Sequence, residues 1–84
     1  MRLDLAGNRL SDSAVDMLTG WPHLGYVRQL DLRDNGIRRA AAIRLAQRRH
    51  LSWLRWLDLR GNPVDPAGRA ALVARFGDRV ILDG

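Results

Sequence analysis

The sequence contains no cysteine, no lysine and no glutamate. Without cysteine there can be no disulfides and no thiolate metal sites, and a reducing compartment is allowed but not required. No apolar run approaches the roughly 18 residues that a membrane-spanning helix needs. The first residues also lack the charged start, apolar stretch and cleavage site of a signal peptide. We therefore expect no membrane interaction and a cytoplasmic location for this chain.

Only two residue types carry the charge, because all 14 basic residues are arginine and all nine acidic residues are aspartate. The formal net charge of +5 suggests nucleic acid or an acidic protein as a partner, because positive charge attracts such molecules over long distances. The pairs Arg38-Arg39 and Arg48-Arg49 are adjacent, but the other arginines are scattered. Dispersed charge of this kind is usually a solvated surface. The 84 residues, 46% of them hydrophobic, indicate one small folded domain, 1–84.

One eight-residue motif occurs three times along the chain, with a period of 27 residues. The copies are Leu3–Leu10 (LDLAGNRL), Leu30–Ile37 (LDLRDNGI) and Leu57–Val64 (LDLRGNPV). A fixed period between about 20 and 50 residues is the sequence signature of stacked repeat units. Each copy begins with leucines at alternate positions, which is typical of a strand with one buried face.

The pattern L-x-L-x-x-N-x-(L/I/V) closely resembles the leucine-rich repeat. The helical segments between the copies are similar to its ribonuclease-inhibitor-like subtype. Ala14, Ala41 and Gly68, each followed four residues later by leucine, and the tail 75–80 are similar to bacterial arrays of this subtype. The resemblance implies an α/β fold, a short solenoid or horseshoe segment with parallel strands on its concave side and helices on its convex side. No cofactor is expected.

We divide the chain into repeats at about 1–22, 23–49 and 50–74, followed by a C-terminal cap at about 75–84. In the first repeat, Ser11 is the predicted N-cap of a short helix. In the second, Arg38 holds that position, although arginine cannot accept hydrogen bonds from the free N–H groups. This indicates either a local weakness or capping by a neighbouring group. In the third, Asp65-Pro66 is a strong helix start. Phe76 is expected to plug the end of the core.

The first repeat has no capping segment before it. Its leucines would therefore have no neighbour on their outer side, and its strand would present an unpaired edge. We expect the chain to be a fragment, the C-terminal portion of a longer array. The alternative is that another chain covers the edge, and self-association through the first strand is a further hypothesis.

Asparagine recurs in every copy, as Asn8, Asn35 and Asn62. In leucine-rich repeats this asparagine turns inward and bonds to the backbone of adjacent loops, so that buried polar backbone groups are satisfied. We expect a structural role for all three.

Parallel strands in register would place equivalent residues about 5 Å apart on the exposed face of the sheet. The outward columns are Arg2, Gln29 and Trp56; Asp4, Asp31 and Asp58; and Ala6, Arg33 and Arg60. Because three aspartates in a row repel one another, Arg33 and Arg60 are expected to neutralise them. This surface is either a self-neutralising lattice or a recognition strip with Trp56 as its aromatic anchor. A row of catalytic carboxylates is a third interpretation. The predicted partner-binding residues are Arg2, Asp31, Arg33, Trp56, Asp58 and Arg60.

Two other pairs of residues lie one repeat apart. Tyr26 and Trp53 could stack along one rim of the sheet, or face a partner together with Trp56. His23 and His50, which parallel stacking would place about 5 Å apart, raise the hypothesis of a metal site. However, a loop-closing hydrogen bond is the ordinary use of such histidines, and no cysteine or glutamate completes a ligand set. We expect no metal.

The resemblance implies a non-catalytic module that binds a protein partner on its concave strand face. No catalytic arrangement is visible, since no serine has a histidine at a matching position, and Gly61-Asn62-Pro63 belongs to the repeat turn. Two alternatives are open. One is a nucleic-acid-binding surface on the helical side, formed by Arg38, Arg39, Arg44, Arg48 and Arg49. The other is a purely structural end segment of a longer repeat protein.

Overall fold

A computed structural model describes residues 1–83, so Gly84, the last residue of the predicted cap, lies outside the described part. The strands are β1 (Arg2–Asp4), β2 (Gln29–Asp31), β3 (Trp56–Asp58) and β4 (Val80–Ile81). The α-helices are α1 (Ser11–Thr19), α2 (Arg39–Gln47) and α3 (Pro66–Phe76). Three 3₁₀ segments follow the helices, at Pro22–Tyr26, Arg49–Trp53 and Gly77–Arg79.

The four strands form one parallel sheet in the order β1-β2-β3-β4, so each strand pairs with its neighbour in sequence. In the register, Leu3 lies beside Leu30, Leu30 beside Leu57, and Leu57 beside Val80. A parallel pair needs a crossover connection, which the helices provide. The predicted α/β architecture is therefore confirmed, with the repeated motifs side by side in one parallel sheet.

The core lies between the sheet and the helices. Leucines of β2 and β3 and of the turns that follow them contribute its sheet side, and the apolar faces of α2 and α3 contribute the other. Val15 of α1 is fully buried at the position equivalent to Ala42. The fully buried large side chains are Val15, Leu24, Val27, Leu30, Leu32, Ile37, Leu45, Leu51, Leu54, Leu57, Leu59 and Leu72.

The two ends of the sheet differ. At the C-terminal end Phe76 is only 2% exposed and packs into the core, as predicted. The guanidinium carbons of Arg75 and Arg79 lie 5.2 and 5.6 Å from the centre of its ring. At the other end β1 is an edge strand, and Leu3 and Leu5 are only partly buried. Self-association through that edge stays a prediction.

Gly68 shows how closely α2 and α3 approach. It occupies the position held by Ala41 in the preceding repeat, and it is buried. A Cβ atom added there would lie 2.9 Å from Val64 Cγ1 and 3.1 Å from Ala42 Cβ, both tighter than ordinary van der Waals contact. The missing side chain therefore lets the last helix pack directly on its neighbour.

Capping of the helices departs from the sequence prediction at Ser11. The residue begins α1 with a φ of +65°, and its side chain makes no capping hydrogen bond, so the predicted N-cap is wrong. Its backbone N–H instead donates to the Asn35 carbonyl at 2.8 Å. The Asp65 prediction is confirmed, because its carboxylate accepts a hydrogen bond from the Gly68 N–H at 2.8 Å.

The first turn of α2 is capped by the preceding repeat. The Asp12 carboxylate accepts hydrogen bonds from the Arg38 N–H at 2.6 Å and the Ala41 N–H at 3.2 Å. Since Arg38 makes no side-chain cap itself, the second of the two interpretations, capping by a neighbouring group, is the correct one. The carboxylate also complements the positive end of the helix dipole.

We therefore expect Asp12→Ala to lower the free energy of unfolding by about 1–2 kcal/mol, the usual cost of losing an N-cap. The matched control is Ser11→Ala, which should change it by less than about 0.5 kcal/mol because no capping bond is lost. Urea denaturation followed by circular dichroism measures both. Equal losses in the two variants would contradict the assignment of Asp12 as the cap.

Candidate interaction surface

The outward face of the sheet carries a network of aspartate and arginine side chains. Arg60 donates from Nε to Asp58 Oδ1 at 3.0 Å and from Nη2 to Asp58 Oδ2 at 2.7 Å. Its backbone N–H also reaches Oδ1, at 3.1 Å. Arg33 and Asp31 repeat this arrangement one strand away, with 3.0 and 2.9 Å for the two side-chain bonds. Such bidentate pairs fix the orientation of the guanidinium plane as well as the position of the group.

Each carboxylate also has a second cation nearby. Arg33 Nε lies 3.8 Å from Asp58 Oδ2, and Arg2 Nη2 lies 3.7 Å from Asp31 Oδ2. The register places Asp31 directly beside Asp58, and like charges there would be destabilising. The guanidinium groups between them offset that repulsion, as the sequence analysis expected.

The structure changes which of the six predicted residues reach solvent. The side chains of Asp31 and Asp58 are 0% exposed, because the arginines cover them, whereas 41% of Arg33 and 49% of Arg60 remain exposed. The prediction that both aspartates touch a partner stays a prediction, but in this arrangement their side chains lie beneath the arginines that they hold. Half-buried Trp56 lies under the guanidinium of Arg2, whose carbon is 5.1 Å from the ring centre.

The first row of the network is incomplete. Ala6 stands where the other repeats have arginine, and Asp4 is exposed. Its carboxylate accepts a hydrogen bond only from the Ala6 N–H, at 3.1 Å, among the contacts of residues 1–83. The charged surface is therefore built mainly by β2 and β3.

The arginines alter the acidity of the buried carboxylates. Burial alone would raise the pKa of Asp31 and of Asp58. Hydrogen bonds from Arg33 and Arg60 outweigh that effect, so each pKa lies below its ordinary value. The pKa of Asp65 is also lowered, first by the hydrogen bond from the Gly68 N–H and then by Arg39.

These shifts predict loss of stability in acid. A carboxyl group whose pKa is lower in the folded chain stabilises the fold above its unfolded pKa of about 3.9. That contribution is lost as the pH falls through the folded value. We expect the free energy of unfolding to drop steeply below about pH 4.

The matched variants are Asp58→Asn and Asp78→Asn. The first should flatten the acid limb of the stability profile, because the pair with Arg60 no longer titrates. Asp78→Asn is the control, because it removes the same charge at an exposed position that belongs to none of the ion pairs found in residues 1–83. Denaturation midpoints between pH 2.5 and 7 measure this. The same slope in all three proteins would contradict the prediction.

Behind the sheet face, the asparagines join one repeat to the next. Asn62 Oδ1 accepts hydrogen bonds from the N–H groups of Asn35 and Ile37, at 2.9 and 3.0 Å. Asn62 Nδ2 donates to the carbonyls of Leu32 and Leu59, at 2.9 and 3.0 Å. Asn35 makes the corresponding bonds to the first repeat. These contacts hold the turns that follow the strands, and so fix the positions of Arg33 and Arg60.

The aromatic residues before the strands are arranged differently from the prediction. Tyr26 and Trp53 are 74% and 64% exposed, and no ring contact joins them among the described residues. The Arg28 guanidinium carbon lies 5.2 Å from the Trp53 ring centre instead. Tyr26 stacks on His23, with ring centres 6.4 Å apart. The signal for Arg28, its equivalence to Arg55 one repeat later, was present in the sequence but was overlooked.

The second histidine closes a loop between repeats. His50 Nε2 lies 2.6 Å from the carbonyl oxygen of Thr19, at the C-terminal end of α1. Within residues 1–83 no three histidine or aspartate side chains come close enough together to hold a metal ion. The longest helix described, α3, has 11 residues, and no helix there is long and apolar enough to cross a membrane.

Three of the five arginines suggested for the helical side are paired with acids in residues 1–83. Arg39 pairs with Asp65, and both Arg44 and Arg48 approach Asp16, at 3.5 and 2.6 Å. These pairs reduce the positive charge that the helices present. The structure therefore gives less support to a nucleic-acid surface at this place than the sequence did.

Comparison with known proteins agrees with the repeat pattern. No curated protein matches the chain. Residues 50–73 match a protein family described as Leucine Rich repeat. That segment contains β3, the ion pair between Asp58 and Arg60, Asn62 and most of α3. The match supports the conclusion that this part of the chain is a leucine-rich repeat.

Proposed function

We propose that this chain is a non-catalytic module that binds a protein partner on the exposed face of its sheet. Leucine-rich repeats are commonly protein-interaction modules, and residues 50–73 match one. We further propose that the units stack as a short solenoid of the ribonuclease-inhibitor-like subtype, with the sheet on the concave side. The observation that carries the proposal is the row of arginines held in fixed positions by buried aspartates.

Those arginines are prepared for binding. Arg33 and Arg60 each use Nε and Nη2 to hold their aspartate. Nη1 of each makes no hydrogen bond within residues 1–83 and is free to donate to a partner. A guanidinium that is already oriented loses less conformational entropy on binding than a free one. The charge that it offers suits a partner with carboxylates or carbonyl oxygens.

Trp56 supplies the apolar part of the surface. It lies beside Gln29 in the register, next to the arginine rows, and the Arg2 guanidinium rests over its ring. Tryptophan and arginine are the residues most enriched among those that dominate binding energies in interfaces. We propose that Arg2, Arg33, Trp56 and Arg60 make the direct contacts. Asp31 and Asp58 would then act as positioning residues behind them.

We expect Trp56→Ala and Arg60→Ala each to lower the affinity for the partner by about tenfold or more, because each removes a central contact. Affinity capture with the unmodified chain identifies the partner, and isothermal titration then compares the variants. Far-UV circular dichroism should show that both variants remain folded.

The controls replace the same residue types away from the sheet face. Trp53 lies before β3, and Arg44 lies on α2, so Trp53→Ala and Arg44→Ala should change the affinity by less than about twofold. Unchanged affinity in Trp56→Ala and Arg60→Ala would move the site elsewhere on the chain. If the isolated chain captured no partner at all, the purely structural alternative would be favoured.

A further inference from the structure

A second surface lies at the N-terminal ends of the strands. The 3₁₀ segments Pro22–Tyr26 and Arg49–Trp53 pack against each other there, just before β2 and β3. Tyr26 and Trp53 occupy equivalent positions in them and are mostly exposed. Two residues after each aromatic comes an exposed arginine, Arg28 or Arg55.

Within residues 1–83 these arginines are not paired with aspartate as Arg39 and Arg44 of α2 are. The chain contains no acidic residue between Met17 and Leu30, or between Arg44 and Leu57. None of the ion pairs formed within the described residues involves Arg28, Arg49 or Arg55. The three arginines therefore add positive charge to this surface that no aspartate of residues 1–83 pairs with.

The aromatic side chains border a cavity. Its volume is about 350 Å³, and it is lined by Pro22, His23, Gly25, Tyr26, His50 and Trp53. Arg28 lies against the Trp53 ring, with 5.2 Å between the guanidinium carbon and the ring centre, so a cation lies directly beside an exposed aromatic surface.

We propose that this surface, the basic aromatic rim of Tyr26, Arg28, Arg49, Trp53 and Arg55, binds single-stranded nucleic acid. Unstacked bases would pack on Tyr26 and Trp53, and the phosphates of the same strand would lie against the three arginines. Aromatic platforms interleaved with basic side chains bind single strands with little sequence preference, because every base has a flat face. Paired bases in a duplex are stacked on one another, so a duplex would meet only the arginines.

The rim is distinct from both surfaces considered above. It lies outside the network of Arg33 and Arg60 on the sheet face. It also shares only Arg49 with the helical arginines that the sequence suggested for nucleic acid. A partner protein on the sheet face and a strand at the rim would contact different residues, so the two proposals can fail independently.

The test uses the full chain and a fluorescein-labelled twelve-nucleotide thymidine oligonucleotide, with fluorescence anisotropy as the measurement. We expect binding at 50 mM salt that weakens as salt is added. Three phosphate contacts predict a slope of about −2 in a plot of log affinity against log salt concentration. A duplex of the same length should bind at least about tenfold more weakly, because it offers no free bases for stacking.

Variants then separate stacking from charge. Trp53→Ala should weaken binding of the oligonucleotide about tenfold. Trp53→Phe should retain most of the affinity because it keeps an aromatic face. Arg28→Gln and Arg55→Gln should each make the salt slope shallower by about 0.7. The matched controls Arg39→Gln and Trp56→Ala, which lie outside the rim, should stay within about twofold of the unmodified chain.

Several results would overturn the proposal. One is no detectable binding of the oligonucleotide at 50 mM salt. Another is equal binding of the duplex, which would show simple attraction to phosphate. A third is equal weakening by Arg39→Gln and Arg28→Gln, which would place the charge effect over the whole molecule. Binding of an acidic peptide to the rim without any oligonucleotide binding would assign the surface to protein instead.

Discussion

Replacing Asn62 by alanine is expected to lower the free energy of unfolding by about 3–5 kcal/mol, because several buried groups lose their partners together. The backbone N–H groups of Asn35 and Ile37 would have no acceptor. The carbonyls of Leu32 and Leu59 would lose a donor. A domain of this length is stabilised by about 4–13 kcal/mol in total, so the variant should lose a large share of its stability.

Asn8→Ala is the matched control, because it changes the same residue type at the equivalent position. Asn8 is exposed, and among residues 1–83 its side chain bonds only within its own repeat, to the carbonyls of Leu5 and Ala6. Its replacement should cost less than about 1 kcal/mol. Guanidinium or urea unfolding curves of the two variants give the comparison. A loss of less than 1 kcal/mol for Asn62→Ala would show that the ladder of asparagines does not hold the repeats together.

The second large effect is expected in the row of leucines that crosses the sheet. Leu30 is fully buried between Leu3 and Leu57, and Leu30→Ala should cost about 3–5 kcal/mol. The cost combines the lost transfer free energy with a cavity that the two flanking strands prevent from closing. Leu30→Ile, which keeps the volume, should cost less than about 1.5 kcal/mol and tests whether the effect comes from the cavity.

Leu3→Ala is the control at the end of the same row. Leu3 is only partly buried, since β1 has a neighbouring strand on one side in the described structure. Water already reaches part of the side chain, so its truncation should cost about 1–2 kcal/mol. Thermal and chemical unfolding of the three leucine variants measure the difference. Equal costs for Leu3→Ala and Leu30→Ala would mean that the first repeat is as well packed as the second.

The two proposed surfaces use arginine in different ways. On the sheet face each exposed arginine is locked to a buried aspartate, so its direction is fixed and its charge is partly offset. At the rim Arg28 stands beside the Trp53 ring, and none of the three rim arginines has an acidic partner in the described residues. The first arrangement favours shape-specific contacts with a folded protein, because directed hydrogen bonds give specificity. The second favours a flexible anionic strand.

Much of the fold follows from the period of 27 residues. Alternating leucines predict the strands, the asparagines predict the turns, and Asp65-Pro66 predicts the start of α3. These features can be read from the sequence because each depends on residues within a few positions of one another. The register of the sheet also follows, since equal spacing in sequence gives equal positions in stacked units.

The residue that caps α2 could not be predicted from the residues next to the start of the helix. Asp12 accepts a hydrogen bond from the N–H of Arg38, which lies 26 residues later at the start of α2, and the Arg38 side chain makes no capping bond of its own. His50 likewise meets Thr19 across the boundary between two repeats. Sequence patterns describe neighbours along the chain, whereas these bonds join neighbours in the stack.

For the interaction surface, the sequence by itself determined which residues share a column: Asp31 beside Asp58, with arginine two residues after each. Only the tertiary structure decided that the carboxylates lie fully beneath those arginines, while parts of the guanidinium groups remain at the surface. The physical reason is that an arginine side chain has several rotatable bonds. Whether it extends into solvent or folds back over a neighbouring strand depends on charges brought together by packing, which distance along the chain does not reveal.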